Sequence, residues 1–364
     1  MVELVIIGNG FDRAHGYETL YSHFIDWYIK KSYAISEKSG WVTMDHSLIK
    51  IKKIGPYLFN AKGELDREKL THEYKHDFFK EIVENHKSST WEGIEREYFL
   101  YLYKTVTNTH KLDPGADENP DDYDETLINK KVKDLNSCLS IIKNELLEYL
   151  EDKTPKNILG VDLNGSILDS LNILFAKCKI DITQKASAGE LSDYKIVLLN
   201  FNYTNTARVC YSHFINKYGI RDNAFLIDIH GNLSDINSII FGYGDESDKR
   251  YSELEEIGDN DILSNFKSFD YFHSRAYSSL IGLLENQEYN IHIMGHSCGV
   301  SDRVLLKELF CADNCKKIQI YYYKKEDGTN DYKEKTMNIS RIFPLDQKAK
   351  MRKKIVNIKD CKPL

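Results

Sequence analysis

The stretch VELVIIGNGFD, residues 2–12, decides the reading of the fold. A short apolar run closed by Gly8-Asn9-Gly10 predicts a buried strand entering a tight turn, and Leu20, Phe24, Trp27 and Tyr28 behind it recur at helical spacing. Glycines in such a turn let backbone N–H groups approach a pyrophosphate, and the start of a following helix favours its negative charge. GNGFDR nevertheless lacks the third glycine of G-x-G-x-x-G, since Arg13 stands there. Asp26, at the distance of a ribose-binding acid, falls in a helical pattern and not at the end of a second strand, so an ordinary dehydrogenase is not expected. The turn is then either a phosphate seat or a plain strand-to-helix reversal.

Strand signals return after Tyr194 as KIVLLNFNYT (195–204), AFLIDIHG (224–231), YNIHIMGHS (289–297) and KIQIYYYK (317–324). Near-continuous apolar runs suit strands covered on both faces, which predicts a Rossmann-like, mainly parallel sheet flanked by helices. Helical patterns dominate between, so the expected organisation is a discontinuous core of residues 1–30 and 190–345, a helical insertion over 31–189, and a basic tail over 346–364. Within the insertion, Ile128, Val132, Leu135, Leu139, Ile142 and Leu146 form a heptad-like stripe, read as a core-facing helix with pairing between subunits as the alternative. Ser89 and Glu92 suit a capping box. The acidic, proline-bearing segment 113–125 reads as an exposed loop.

With 41% apolar and 29% charged residues among 364, the chain can enclose a sizeable core. A net charge of -7 spread over both signs is not the basic stripe of a dedicated nucleic-acid binder, and the one basic run, KAKMRKK at 348–354, reads as a solvated tail. Seven scattered cysteines and an N-terminus without a basic leader pattern predict a reducing, cytoplasmic setting, and no apolar run approaches a membrane span. Cys311 and Cys315 lack the further ligands of a zinc set, so no metal is expected.

Chemistry-bearing residues stand directly after the predicted strands. His230 could act as a general base at a strand mouth, and Asn202 could offer both donor and acceptor to a ribose hydroxyl or a water. GHSCG at 295–299 matches the serine-hydrolase elbow G-x-S-x-G, but no histidine follows His296 in the chain and serine hydrolysis is not expected. A magnesium-dependent nuclease using Asp12, Asp245 and Asp302 is a third option.

These pieces in this order resemble the bacteriophage abortive infection AbiH family: IIGNGFDRAHGYETLYSHF, Trp91 with Glu95, NFNYTNT, HGN, FGYGD and GHSCGVSD. The same set is similar to the sirtuin-type NAD-binding fold. Its Gly-Ala-Gly-Ile-Ser turn corresponds to Gly8-Asn9-Gly10-Phe11-Asp12 with Gly16 later, its Asn-x-Asp to Asn202-Tyr203-Thr204, its His-Gly to His230-Gly231, and its Gly-Thr-Ser to Gly295-His296-Ser297. Asp12 replaces the serine, Thr204 replaces the aspartate, and the four-cysteine zinc module is missing.

The resemblance implies an antiphage effector that hydrolyses the N-glycosidic bond of NAD more readily than a deacylase. It assigns catalytic roles to His230, Asn202 and Asp12, and NAD-binding roles to Gly8, Asn9, Gly10, Phe11, Gly16, Ser297 and Asp302, while Gly242 to Asp245 is read as either a loop closing over the site or an ordinary turn. The alternative is a noncatalytic nucleotide sensor or interaction module. A phage-derived activator and self-association through the helical insertion are the expected partners.

Overall fold

The computed structural model describes residues 1–38, 44–51, 72–85, 91–109, 125–154 and 166–364. Five strands form one all-parallel sheet: β1 (Val2–Ile7), β2 (Lys195–Asn200), β3 (Ala224–Asp228), β4 (Tyr289–Met294) and β5 (Cys315–Tyr321). Their order is β3-β2-β1-β4-β5. In register, Val2 lies beside Lys195 on one side and Tyr289 on the other, so both neighbours of β1 end level with Ile7.

Every residue of β1 is buried, and alternation along it feeds two cores. Val2, Leu4 and Ile6 pack with Leu280, Leu305, Leu309, Phe310 and Ile339. Val5 and Ile7 pack with Leu171, Phe175, Cys210 and Phe214 on the opposite face. Helices Arg275–Leu284, Arg303–Cys311 and Tyr332–Ile342 thus cover one face, and Ser166–Ser187 with Thr206–Tyr218 cover the other. This is the layered α/β arrangement that the apolar runs predict.

One charge is built into β1. The buried Glu3 accepts from His292 Nε2 at 2.8 Å, Tyr194 Oη at 2.6 Å and Lys177 Nζ at 3.0 Å. Burial works to raise its carboxyl, but these partners outweigh it and bring the pKa down to about 2.

The chain divides into two compact units whose limits differ from those expected: residues 1–19, 150–245 and 267–364 form the first, and 20–149 with 246–266 the second. Helix Ser166–Ser187 therefore belongs with the sheet, while Tyr21–Lys38 does not. Helical periodicity reports that an apolar face exists, not which core receives it. The second unit also holds a small antiparallel sheet of Met44–Asp45, Ile49–Ile51 and His72–Tyr74, which the helical reading of this region lacked. The six stripe residues from Ile128 to Leu146 are all buried in helix Glu125–Lys153. Ser89 of the expected capping box and the loop segment 113–124 lie outside the described residues.

The segment expected as a solvated tail is instead anchored. Lys348–Lys354 is helical, and the buried Lys354 donates through Nζ to the carbonyls of Phe310 at 2.9 Å and Ala312 at 2.6 Å. A lysine on the last carbonyls of a helix satisfies acceptors that the helix cannot. Among the described residues no helix is long and apolar enough to cross a membrane.

Candidate functional site

Strand order reverses between β1 and β4, and the crevice at the carboxyl ends of the strands beside such a reversal is where open parallel sheets take ligands. Here the two loops meet through glycine. A Cβ on Gly8 would lie 2.6 Å from His296 Cα, one on Gly10 2.8 Å from Gly295 Cα, and one on Gly295 2.0 Å from the Phe11 nitrogen. Gly295 also sits at φ +79°, in the left-handed region. The Gly8 N–H donates to Met294 O at 3.1 Å and the Gly10 N–H to Gly295 O at 2.8 Å. Both donors expected for a pyrophosphate are thus engaged by β4 and the loop after it, and the turn acts as a loop-crossing device.

The remaining residues of the turn are equally tied. Asn9 Nδ2 donates to Thr19 O at 2.8 Å, and Thr19 Oγ1 donates back to Asn9 Oδ1. Phe11 is buried, and Gly16, at φ +83°, has open space around its Cα.

Asp12 is the unusual group. It is 1% exposed, and Thr204 Oγ1 donates to its Oδ2 at 2.6 Å, while its Oδ1 has no partner. Burial pushes its pKa up to about 6, against the pull of Thr204, Thr206 and Asn202. Asn202, which also works to lower the Asp12 pKa, donates from Nδ2 to Gly8 O at 3.0 Å. Asn200 holds Asn202 in turn: its Nδ2 reaches Asn202 O at 2.9 Å, and its Oδ1 accepts from the Asn202 N–H at 3.1 Å.

A second buried group centres on Asp302. Lys267, 1% exposed, donates to Asp302 Oδ1 at 2.8 Å. His230 Nε2 lies 3.4 Å from Oδ1, and His296 Nε2 lies 3.4 Å from Oδ2. The Cys298 N–H donates to His296 Nδ1 at 3.0 Å, so His296 carries its proton on Nε2 and presents it to Asp302. Burial works to raise Asp302, but the Lys267 ammonium, His230 and His296 outweigh it and hold the carboxyl far below the usual carboxylate range. The Phe201 ring sits edge-on to both imidazoles, with centroids at 5.1 and 4.3 Å. Ser297 stands outside this group, and its carbonyl accepts from Asn338 Nδ2 at 2.9 Å.

His230 is 4% exposed, and burial with the nearby Lys267 charge lowers its pKa to about 3. It is neutral in the fold near pH 7 but a poor base there, because general bases work best with a pKa near the working pH. Its pKa is depressed relative to the unfolded chain, so the stability it contributes is fully present above about pH 6.5 and declines as pH falls toward 3. Lowering the pH from 7 to 4.5 should cost the native chain about 2–3 kcal/mol more than it costs His230→Gln, as read by urea unfolding. Equal losses in the two proteins would show that the imidazole titrates normally.

The structure therefore brings Gly8 to Asp12, Asn202, His230, Ser297 and Asp302 to the carboxyl edge of one sheet, around two separate polar centres. Asp245, on the FGYGD segment, pairs with Arg303 Nη1 at 2.8 Å. Asp12, Asp245 and Asp302 each have a different partner, and among the described residues no three His, Cys, Asp or Glu side chains are arranged to hold a metal ion. The three carboxylates considered for magnesium are thus each engaged by a different protein group. Sequence reasoning missed Lys267 and the role of His296. Lys267 stands in FKSFDYF, which carries no motif, and only the folded chain brings it to Asp302.

The family model described as Bacteriophage abortive infection AbiH matches residues 4–324. The chain belongs to the AbiH family. The match runs from β1 through the end of β5 and includes both polar centres of the AbiH sheet edge. Membership gives the chain its place in abortive-infection defence against phage. A comparison with curated proteins finds no match.

Proposed function

We propose that this AbiH chain acts in phage defence by hydrolysing NAD to nicotinamide and ADP-ribose at the β1/β4 edge. The observation that carries this reading is the buried Asp12–Thr204 pair with one carboxylate oxygen unpartnered. The sirtuin pattern has a hydroxyl on the first loop and a carboxylate on the second; here both positions depart from it, and the two exchanged groups are hydrogen-bonded to each other. A paired exchange supports the correspondence between the loops better than either residue does alone.

In the reaction the C1′–N bond of the nicotinamide ribose breaks, and the pyridine nitrogen keeps the bonding pair and leaves as neutral nicotinamide. Water adds to C1′, and its proton passes to the Asp12 carboxylate, so that NAD and water give nicotinamide, ADP-ribose and one proton. With a pKa of about 6, Asp12 is mostly ionised at pH 7, able to face an oxocarbenium-like sugar and close enough to neutrality to take the proton. Asn202 positions Asp12 against the turn, and His230 with Asp302 and Lys267 orders the neighbouring loop ends. This shifts the base role from His230 to Asp12, for the reason its lowered pKa supplies.

The test is incubation of the full chain with NAD, alone and with phage components, following nicotinamide by chromatography. Release of nicotinamide with a pH profile bending near 6 is expected. Binding of ADP-ribose in calorimetry without any release would favour a noncatalytic nucleotide sensor.

A further inference from the structure

The outer strand β5 and the two residues after it carry IQIYYY, residues 318–323, a run without charge, glycine or proline. At a sheet edge such a run is a template for pairing with another strand, and chains guard it with flanking charge. Here Lys316 and Lys317 precede it and Lys324 and Lys325 follow, all four exposed, while the acids Glu326 and Asp327 lie in the next turn.

The chain covers this edge with its own segment 355–364. Parallel bridges join Ile318 to Ile355 and Tyr322 to Pro363. The Val356 N–H donates to Ile318 O at 3.0 Å, the Tyr322 N–H to Lys362 O at 3.2 Å and the Leu364 N–H to Tyr322 O at 2.8 Å. The cover is a poor strand. Between the bridges it advances eight positions against four in β5, because Ile358–Asp360 coils into a 3₁₀ turn, and at Ile320 it offers the Cys361 thiol in place of a peptide group. Pro363 has no N–H to give. Its charge also matches badly, since Lys359 and Lys362, against Asp360 alone, stand on an edge flanked by four lysines.

We propose that the β5 edge is a docking site for an extended segment of another protein, an apolar run with acidic residues at its ends, and that residues 355–364 occupy it as a displaceable stand-in. Strand addition would complete the backbone bonds that the strap leaves unmade, and the acids would meet Lys316 and Lys317 at one end and Lys324 and Lys325 at the other. A second copy of the chain fits less well, because antiparallel pairing of IQIYYY with itself sets lysine against lysine. Tyr321 pairs in register with Met294, so a docked segment would have only β5 between it and the strand that leads into the GHS loop. The docking edge is independent of the NAD chemistry.

Fluorescence anisotropy tests this with a labelled peptide of alternating valine and threonine carrying glutamates at both ends. It is titrated with the full chain and with a chain ending at Val356, which keeps Ile355 against the core and the Val356 bond to Ile318. The shortened chain is expected to bind at least about tenfold more tightly than the full chain, and to bind the same peptide with lysine ends at least about tenfold more weakly. In the full chain, Lys359→Glu with Lys362→Glu should improve the fit of the strap and weaken the glutamate-ended peptide by about threefold. Where the shortened chain fails to unfold cooperatively in urea, this full-length comparison decides. Equal affinity for the two peptides, equal affinity in the native and strap-altered chains, or no binding at all would overturn the docking edge. Self-association of the shortened chain in sedimentation, in place of peptide binding, would give the edge to a second copy and overturn the partner assigned.

Discussion

Lys267→Met is expected to destabilise the chain by about 3–5 kcal/mol in urea unfolding at pH 7. The ammonium is 1% exposed and donates to Asp302, which is itself enclosed by His230 and His296. Methionine fills a similar volume, so the loss is not one of packing. It arises because Asp302 keeps its desolvation and loses the partner that contributes most to holding it ionised. Changing Asp302 to leucine at the same time removes the stranded charge, and the double variant should be closer to the native chain than Lys267→Met is. The imidazole of His230 should respond as well: without the lysine charge that lowers its pKa, it should titrate at higher pH in NMR. A single-variant cost below about 1 kcal/mol would show that the cluster is solvated and the pairing weak.

Asp12→Asn is expected to reduce nicotinamide release by about 10²–10⁴-fold and at the same time to stabilise the fold. The two effects share one cause. Because the Asp12 pKa is raised in the fold, its favourable contribution belongs to the protonated form: it is fully present below about pH 3.8 and is lost as pH rises through 6. At pH 8 the native chain therefore buries a carboxylate at a cost that the amide avoids. The gain should be about 2 kcal/mol, less than the full shift implies because the new NH₂ lacks an acceptor. At pH 4 the gain should vanish. Stabilisation of equal size at pH 4 and pH 8 would contradict the raised pKa, and full activity in Asp12→Asn would remove this carboxylate from the reaction.

The five strands, their parallel arrangement and the shared edge at which GNG, NFNYT, HG and GHS emerge follow from local pattern. Apolar runs of four to six residues ending in small or polar ones can bury both faces only in a sheet covered by helices on each side. The stripe from Ile128 to Leu146 was legible for the same reason, since a period near 3.5 marks one buried face. Tertiary structure alone decided the rest. Whether Gly8 and Gly10 face a ligand or another loop depends on Gly295, nearly three hundred residues away in the chain, and burial depends on what folds over a position: Lys267 and Lys354 stand in ordinary local sequence. Periodicity records which side of an element avoids water. It does not record what lies on that side, and the electrostatics of Asp12, His230 and Asp302 come entirely from those neighbours.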